Sequence, residues 1–390
     1  MRKPWVSATL IFLMTAPIFA SPGTHTGGAV PAGAAATLSG AAPIVIAHRG
    51  ASGYRPEHTL EAYRLAIEMG ADFIEPDLVS TRDGRLVARH EPNITATTDV
   101  ASRPEFAKRR TTKQIDGVDE NGWFTTDFTL AELRTLRAVQ PRAERSREFD
   151  GRFGIPTLDE IITLARSESK ARGREIGIYP ETKHPTWHCE QNLPLEPGLL
   201  EALARAGWTE RRSPVFIQSF EAGNLAYLRT RTGVRLVQLI DANGLTPEGA
   251  VLPPRAWSSR GSCKLYPKGE LPADLSDPVS FRRISRYADA VGPWKRYLIP
   301  SRAAPAELPG ADPNAEPGRR TMAATNFVAL AHAAGLAVHP WTFRNESQYL
   351  AADYNHDPLA EYRAFYALGI DGLFSDFPDT AVAALTSSDR

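Results

Sequence analysis

The chain holds little cysteine, no excess of either charge, and no apolar run long enough to cross a membrane with confidence. Cys189 and Cys263 are the only cysteines in 390 residues. An oxidising compartment would permit a disulfide between them, but two cysteines alone do not establish one. Their spacing to the histidines, with His184 and His188 close to Cys189, carries no zinc signature. Lys and Arg number 45 against 45 Asp and Glu. That balance removes any electrostatic reason to expect nucleic acid or another polyanion as partner. The apolar stretch at residues 5–19 follows Met1-Arg2-Lys3 and precedes Ala20-Ser21. It is too short and too interrupted for a membrane span, and reads as a secretory signal peptide over residues 1–20. Residues 21–42, rich in Gly, Ala, Thr and Pro, read as a disordered leader. No lipidated cysteine lies nearby and no amphipathic membrane-surface helix stands out. The mature protein is therefore expected to be secreted or periplasmic, without stable membrane insertion. The sequence does not set an oligomeric state.

What is present is concentrated in residues 44–93. Ile44-Val45-Ile46-Ala47 is a short apolar run that reads as a buried strand ending at His48 and Arg49. Thr59 is placed to cap a helix whose apolar face includes Leu60, Tyr63 and Ile67. Residues 72–78 form a second strand, with Glu75 and Asp77 on one face by two-residue alternation. Pro76 predicts irregular pairing there. Asp83-Gly84 between strand-like residues signals a hairpin. A two-residue loop at this point pairs Arg82 with Arg85 and sets Asp77 opposite His90, and a one-residue slip would turn His90 away. A lone histidine at a strand end is usually structural, which is the reading for His58 and His332. The conjunction of His48, Arg49, Glu75, Asp77 and His90 on one rim reads as a functional site.

Downstream, strand signals at 175–183, 214–220, 235–241, 288–293, 337–343 and 371–377 alternate with helical stretches such as 158–167, 199–206 and 325–334. With the first two strands this gives eight parallel candidates, and the fold class is α/β, a (β/α)8 TIM barrel. An insertion after the second barrel strand occupies about 92–154, polar and aromatic, with Trp123-Phe124 and a helix expected at 130–137. The barrel domain as a whole is expected to span 43–390. Stretches 242–287 and 295–320 are expected as loops over the rim, with Trp257, Tyr266 and Trp294 as candidate pocket walls.

The motifs His48-Arg49-Gly50-Ala51-Ser52-Gly53-Tyr54-Arg55-Pro56-Glu57-His58-Thr59-Leu60, Glu75-Pro76-Asp77-Leu78 and Leu86-Val87-Ala88-Arg89-His90 resemble the signature of the glycerophosphodiester phosphodiesterases, closest to their periplasmic and secreted branch. Tyr179-Pro180-Glu181-Thr182-Lys183, Gln218-Ser219-Phe220, His339-Pro340-Trp341-Thr342 and Phe374-Ser375-Asp376-Phe377-Pro378 agree. Glu91 stands where many members carry aspartate, and His58 where many carry asparagine. The resemblance implies metal-dependent hydrolysis of glycerophosphodiesters to sn-glycerol 3-phosphate and an alcohol. His48 and His90 would be general base and acid, in an order left open, and the glycerol 2-hydroxyl would serve as nucleophile through a cyclic phosphate. Glu75, Asp77 and Glu181 would hold one divalent cation, calcium ahead of magnesium; their hard oxygen donors suit either ion. Arg49 and Lys183 would bind phosphate, and Phe220 and Trp341 would pack against the glycerol or alcohol. Two other readings stay open: hydrolysis of glycerol-phosphate polymers such as teichoic acid, and a phospholipase-like lyase. A non-catalytic phosphoester-binding protein is disfavoured, since binding alone needs no pair of proton carriers.

Overall fold

The computed structural model describes residues 35–253, 263–269 and 271–386. The expected signal peptide, most of the leader, and Trp257 lie outside the described residues. Eight strand positions follow one another in the order the sequence predicts: Ile44–His48, Phe73–Glu75 continued by Asp77–Ser80, Gly177–Ile178 continued by Glu181–Thr182, Phe216–Ser219, Arg235–Ile240, Ala290–Pro293, Ala337–Val338 and Gly372–Ser375. Neighbours pair in parallel, and the eighth strand returns to the first through Ile44–Gly372 to Ala47–Ser375. Backbone bonds from Asp371 N to Val338 O (2.9 Å) and Phe374 N to Pro340 O (3.0 Å) join the seventh segment to the eighth. The sheet is thus closed, and the protein is a (β/α)8 barrel.

The two-residue alternation of the strands sorts side chains between two cores. Outward residues such as Val45, Ile74, Leu78, Ile217, Leu236 and Leu373 pack against the surrounding helices. Inward residues Ile46, Phe73, Tyr179, Phe216, Val237 and Phe374 fill the lower barrel. Stepping two residues further along the same strands gives His48, Glu75, Glu181, Gln218 and Asp376. The aromatic plug is therefore the floor on which the polar rim stands. Thr59 caps the helix Leu60–Glu68 through Ala62 N, and Thr157 with Glu160 forms a capping box on Leu158–Arg172.

Pro76 splits the second strand as expected, since it has no N–H to give the ladder. The hairpin that follows differs by one residue from the expected register. Leu78 pairs with Ala88 and Ser80 with Leu86, so Arg89, not His90, stands opposite Asp77, with Arg89 N bonded to Asp77 O at 3.0 Å. The loop is Arg82-Asp83-Gly84, closed by Thr81 N to Arg85 O at 2.9 Å. Gly84 at φ +74° supplies the left-handed turn of a three-residue connection.

The insertion builds its own small core from Ile94, Val100, Phe106, Trp123, Phe128 and Leu133 over Val79 and Val87 of the hairpin. Its strands Thr111–Ile115 and Val118–Gly122 form a second hairpin, and the helix expected at 130–137 is a single turn, Leu130–Leu133. The expected rim loops contain a helix, Pro278–Ile284, and a paired strand, Ser301–Ala303 with Arg319–Thr321. The end of the leader is part of the fold. Ala35 N bonds Ala367 O at 3.1 Å and Leu38 N bonds Asp371 Oδ1 at 2.7 Å. Its small residues lie close to the base of the barrel, which composition alone cannot signal. The cysteines left open above are joined: Cys189 and Cys263 form a disulfide with Cα atoms 5.7 Å apart.

Candidate active site

The site begins where the first strand stops. Arg49 and Gly50 both take positive φ, 61° and 85°. At Gly50 a side chain is excluded outright, because a Cβ would meet Ala62 C at 2.8 Å. This turn aims Arg49 N at Glu75 Oε2, 2.8 Å away. The Arg49 guanidinium reaches Glu57 Oε2 at 3.0 Å and lies 3.5 Å from Asp77 Oδ2.

Glu75, Asp77 and Glu181 are buried, and each offers a carboxylate oxygen within 4.8 Å of the others. The strand registers Asp77–Glu181 and Glu181–Gln218 put them on adjacent rungs. Gln218 Nε2 donates to Glu75 Oε1 at 2.9 Å, while Gln218 Oε1 is buried without a hydrogen-bond partner. Burial and the neighbouring Asp77 charge hold the Glu75 carboxyl well above its usual range. Asp77 is held well below its own: burial opposes this, but His58 and Lys183 outweigh it. Crowded acidic oxygens, all hard donors, with an orphaned amide oxygen beside them, fit a divalent cation of the calcium or magnesium type.

Two histidines flank the triad, and each is backed by a carboxylate. His48 Nδ1 meets Asp376 Oδ1 at 2.6 Å. Burial and the Arg49 charge lower His48 to about 3, against the opposing pull of Asp376. His90 Nδ1 meets Glu91 Oε1 at 3.0 Å, and its Nε2 lies 3.5 Å from Lys183 Nζ. Its pKa is lowered too, by burial and by Arg49 and Lys183. Lys183 Nζ contacts Glu181 Oε1 at 3.2 Å and stands 5.7 Å above the Phe220 ring. Trp341 meets Phe220 edge-on with centroids 5.9 Å apart. Both aromatics are half-buried, and Trp341 also packs against the aromatic cluster of the inner barrel.

Residues 48–380 match the model of the glycerophosphoryl diester phosphodiesterase family. The chain belongs to that family. A glycerophosphodiester phosphodiesterase of Arabidopsis thaliana is 36% identical over 348 residues, covering 86% of this chain and 84% of the relative. One of Haemophilus influenzae is 28% identical, covering 88% of this chain and 89% of its own. Among solved structures, an Oleispira antarctica phosphodiesterase in complex with the product sn-glycerol-3-phosphate shares the fold with a TM-score of 0.55, at 20% identity, over 88% of this chain and 97% of that one.

In this member of the phosphodiesterase family all nine residues singled out from sequence fall on one rim: His48, Arg49, Glu75, Asp77, His90, Glu181, Lys183, Phe220 and Trp341. Tyr266, expected as a pocket wall, is elsewhere; its hydroxyl bonds Glu196 Oε1 at 2.6 Å behind the third and fourth strands. Trp294 bridges its backbone to Trp341. Four further groups complete the site. His58, read as structural, turns at φ 56° and contacts Asp77 Oδ2 at 2.9 Å through Nε2. Gln218 and Asp376 stand in quoted motifs, and strand alternation alone points both inward. Arg145, from the end of the insertion, contacts Asp376 Oδ2 at 2.6 Å, and no local pattern marks it.

Proposed function

We propose that the chain hydrolyses glycerophosphodiesters to sn-glycerol 3-phosphate and an alcohol, with a divalent cation and two histidines as proton carriers. The observation that carries this reading is the placement of three buried carboxylates and Lys183 between two carboxylate-backed histidines. Glu75, Asp77 and Glu181 would hold the cation, calcium in preference to magnesium, and it supplies Lewis-acid stabilisation of the charge that develops on phosphate. Arg49 and Lys183 add positive charge for the non-bridging oxygens. One histidine takes the proton of the glycerol 2-hydroxyl as that oxygen bonds phosphorus. The other gives its proton to the departing alkoxide as the phosphorus–oxygen bond to the alcohol breaks. Water then opens the cyclic phosphate with the two roles exchanged, so proton and bond counts close. Phe220 and Trp341 offer apolar surface to the organic part of the substrate.

Export to an oxidising compartment is part of the proposal. The signal-peptide pattern supports it, as does the Cys189–Cys263 bond, since disulfides persist where thiols are not kept reduced. Among the described residues no helix is long and apolar enough to cross a membrane. The test is a coupled assay for sn-glycerol 3-phosphate with glycerophosphocholine, run in chelator and then with calcium or magnesium restored. Product that appears only with cation is the expected result. Full activity after complete chelation would refute the carboxylate-metal mechanism. Release from a glycerol-phosphate polymer but from no small diester would move the substrate to the polymer.

A further inference from the structure

The acid–base assignment above concerns two histidines, and the inference that follows rests on it. Each catalytic imidazole is backed by a carboxylate, and the insertion at 92–154 reaches both carboxylates, Asp376 directly through Arg145 and Glu91 at one remove through His184. On one side Asp376 Oδ1 accepts from His48 Nδ1 at 2.6 Å, and Oδ2 accepts from Arg145 at 2.6 Å and Arg344 at 2.9 Å. Arg145 is itself buried, and its other donors reach Glu346 Oε1 at 2.6 Å and Ser52 O at 3.1 Å. On the other side Glu91 Oε1 accepts from His90 Nδ1 at 3.0 Å and Oε2 accepts from His184 Nε2 at 2.7 Å. His184 Nδ1 in turn meets Asp116 Oδ2 at 2.6 Å. With a carboxylate on each ring nitrogen, His184 must donate twice, which makes it an imidazolium.

Asp116 sits at the tip of the insertion hairpin. It and Gly117 take φ 49° and 82°, and Ile115 pairs with Val118. This is a tight two-residue turn with both central residues left-handed. The turn projects the carboxylate over the rim to His184, two residues past the end of the third strand. The insertion does not need these polar contacts for attachment, because its apolar core already sits on Val79 and Val87. Barrel strands deliver His48 and Asp376 to the rim and the hairpin strand Leu86–Ala88 leads to Glu91, while the turning of the carboxylates depends on side chains beyond the strands, Arg145 and Arg344 on Asp376 and His184 on Glu91.

We propose that the insertion is the assembly element of the acid–base pair, with Arg145 and Asp116 as positioning residues. Arg145 turns Asp376 toward His48, and Asp116 holds His184 so that Glu91 is turned toward His90. In both cases Nδ1 is engaged from behind, which fixes one tautomer and makes Nε2 the nitrogen for proton transfer, with His90 Nε2 also 3.5 Å from Lys183 Nζ.

The experiment uses the full chain with cation and glycerophosphocholine, and compares Asp116→Gly, Arg145→Met and Arg145→Lys with His48→Ala and His90→Ala. Two glycines suit the same turn, so Asp116→Gly keeps the hairpin. Melting curves and cation titration establish that each variant is folded and loaded. We expect kcat to fall about tenfold or more in Asp116→Gly and Arg145→Met, as losses of groups behind a site histidine do, with KM within about twofold. Arg145→Lys should recover part of the loss. Ring 1H–15N correlation spectra should show mixed tautomers for His90 in the first variant and for His48 in the second. Folded variants with unchanged kcat, beside inactive His48→Ala and His90→Ala, would overturn the positioning roles and leave the acid–base reading standing. Reduced kcat with unaltered tautomer signals would also overturn them. Wild-type turnover in both histidine variants would overturn the acid–base reading and this inference together.

Discussion

Replacing Glu75 by glutamine should stabilise the cation-free protein while abolishing its function. The three ligand oxygens lie within 4.8 Å of one another. At that separation and an effective dielectric of about 20, two carboxylates repel by about 3.5 kcal/mol. A proton can relieve the strain, and this sets a ceiling. Taking up a proton at pH 7 by a carboxyl whose ordinary value is 4.5 costs about 3.4 kcal/mol, whatever the folded value is. The two figures agree, so the relief in Glu75→Gln is capped near that level, and the lost charge-assisted bonds from Arg49 N and Gln218 Nε2 reduce it. The amide is well received: Gln218 can turn over and offer the Oε1 that has no partner. A net gain of about 1–2 kcal/mol is expected, a rise of a few degrees in the melting temperature. The sign with pH follows from the raised Glu75 pKa. The penalty is absent below the unfolded value near 4.5 and accumulates as pH rises, so the gap between variant and parent should widen from pH 5 to pH 8 in chelator. Cation should reverse the order, since a ligand at a hundred times its Kd adds about 2.7 kcal/mol to the form that binds it. Melts of both proteins with chelator and with calcium test this. A less stable variant in chelator at pH 7, or equal stabilisation of both by calcium, would refute the reasoning.

His90→Ala should abolish turnover with cation affinity nearly intact, measured by calorimetry beside the coupled assay, because His90 contacts Glu91 and Lys183 and none of the triad. His58→Ala should weaken cation binding about 10- to 100-fold, as loss of a ligand's outer partner does, because it strips the 2.9 Å contact from Asp77; unchanged affinity would return His58 to a purely structural role. Replacing Cys189 and Cys263 by alanine should cost up to about 4.5 kcal/mol, the loop entropy of a bridge this wide, and urea titration would read it.

The barrel and the shared face of Glu75 and Asp77 were legible because they depend on local periodicity, while Glu181 joined them through the family motif. The strands around Ile46, Phe73, Tyr179 and Phe216 alternate inward and outward, and that alternation alone stacks His48, Glu75 and Glu181 above an apolar floor. His90 shows where such counting fails. The Asp83-Gly84 pair was read as a two-residue loop, yet the chain closes it through Thr81 and Arg85, and the register moves by one. His90 reaches the rim all the same, as the second residue beyond the end of its strand, Leu86–Ala88. At Asp116-Gly117, an Asp-Gly pair from which no turn was predicted, a two-residue turn does form.

By itself the sequence determined the family, the fold and which side chains gather on one rim, because strand alternation and the match to the family motifs both act along the chain. Tertiary structure decided how those side chains are held. Asp376 meets His48 across 328 positions and Arg145 meets Asp376 across 231, distances at which no periodicity operates. His58 reaches Asp77 only because its backbone turns left-handed against the hairpin. The cysteines, silent as a pair in the sequence, are joined because the loop after the fifth strand returns to the helix after the third. Contacts of that kind are fixed by how whole segments pack, and a linear pattern does not record them.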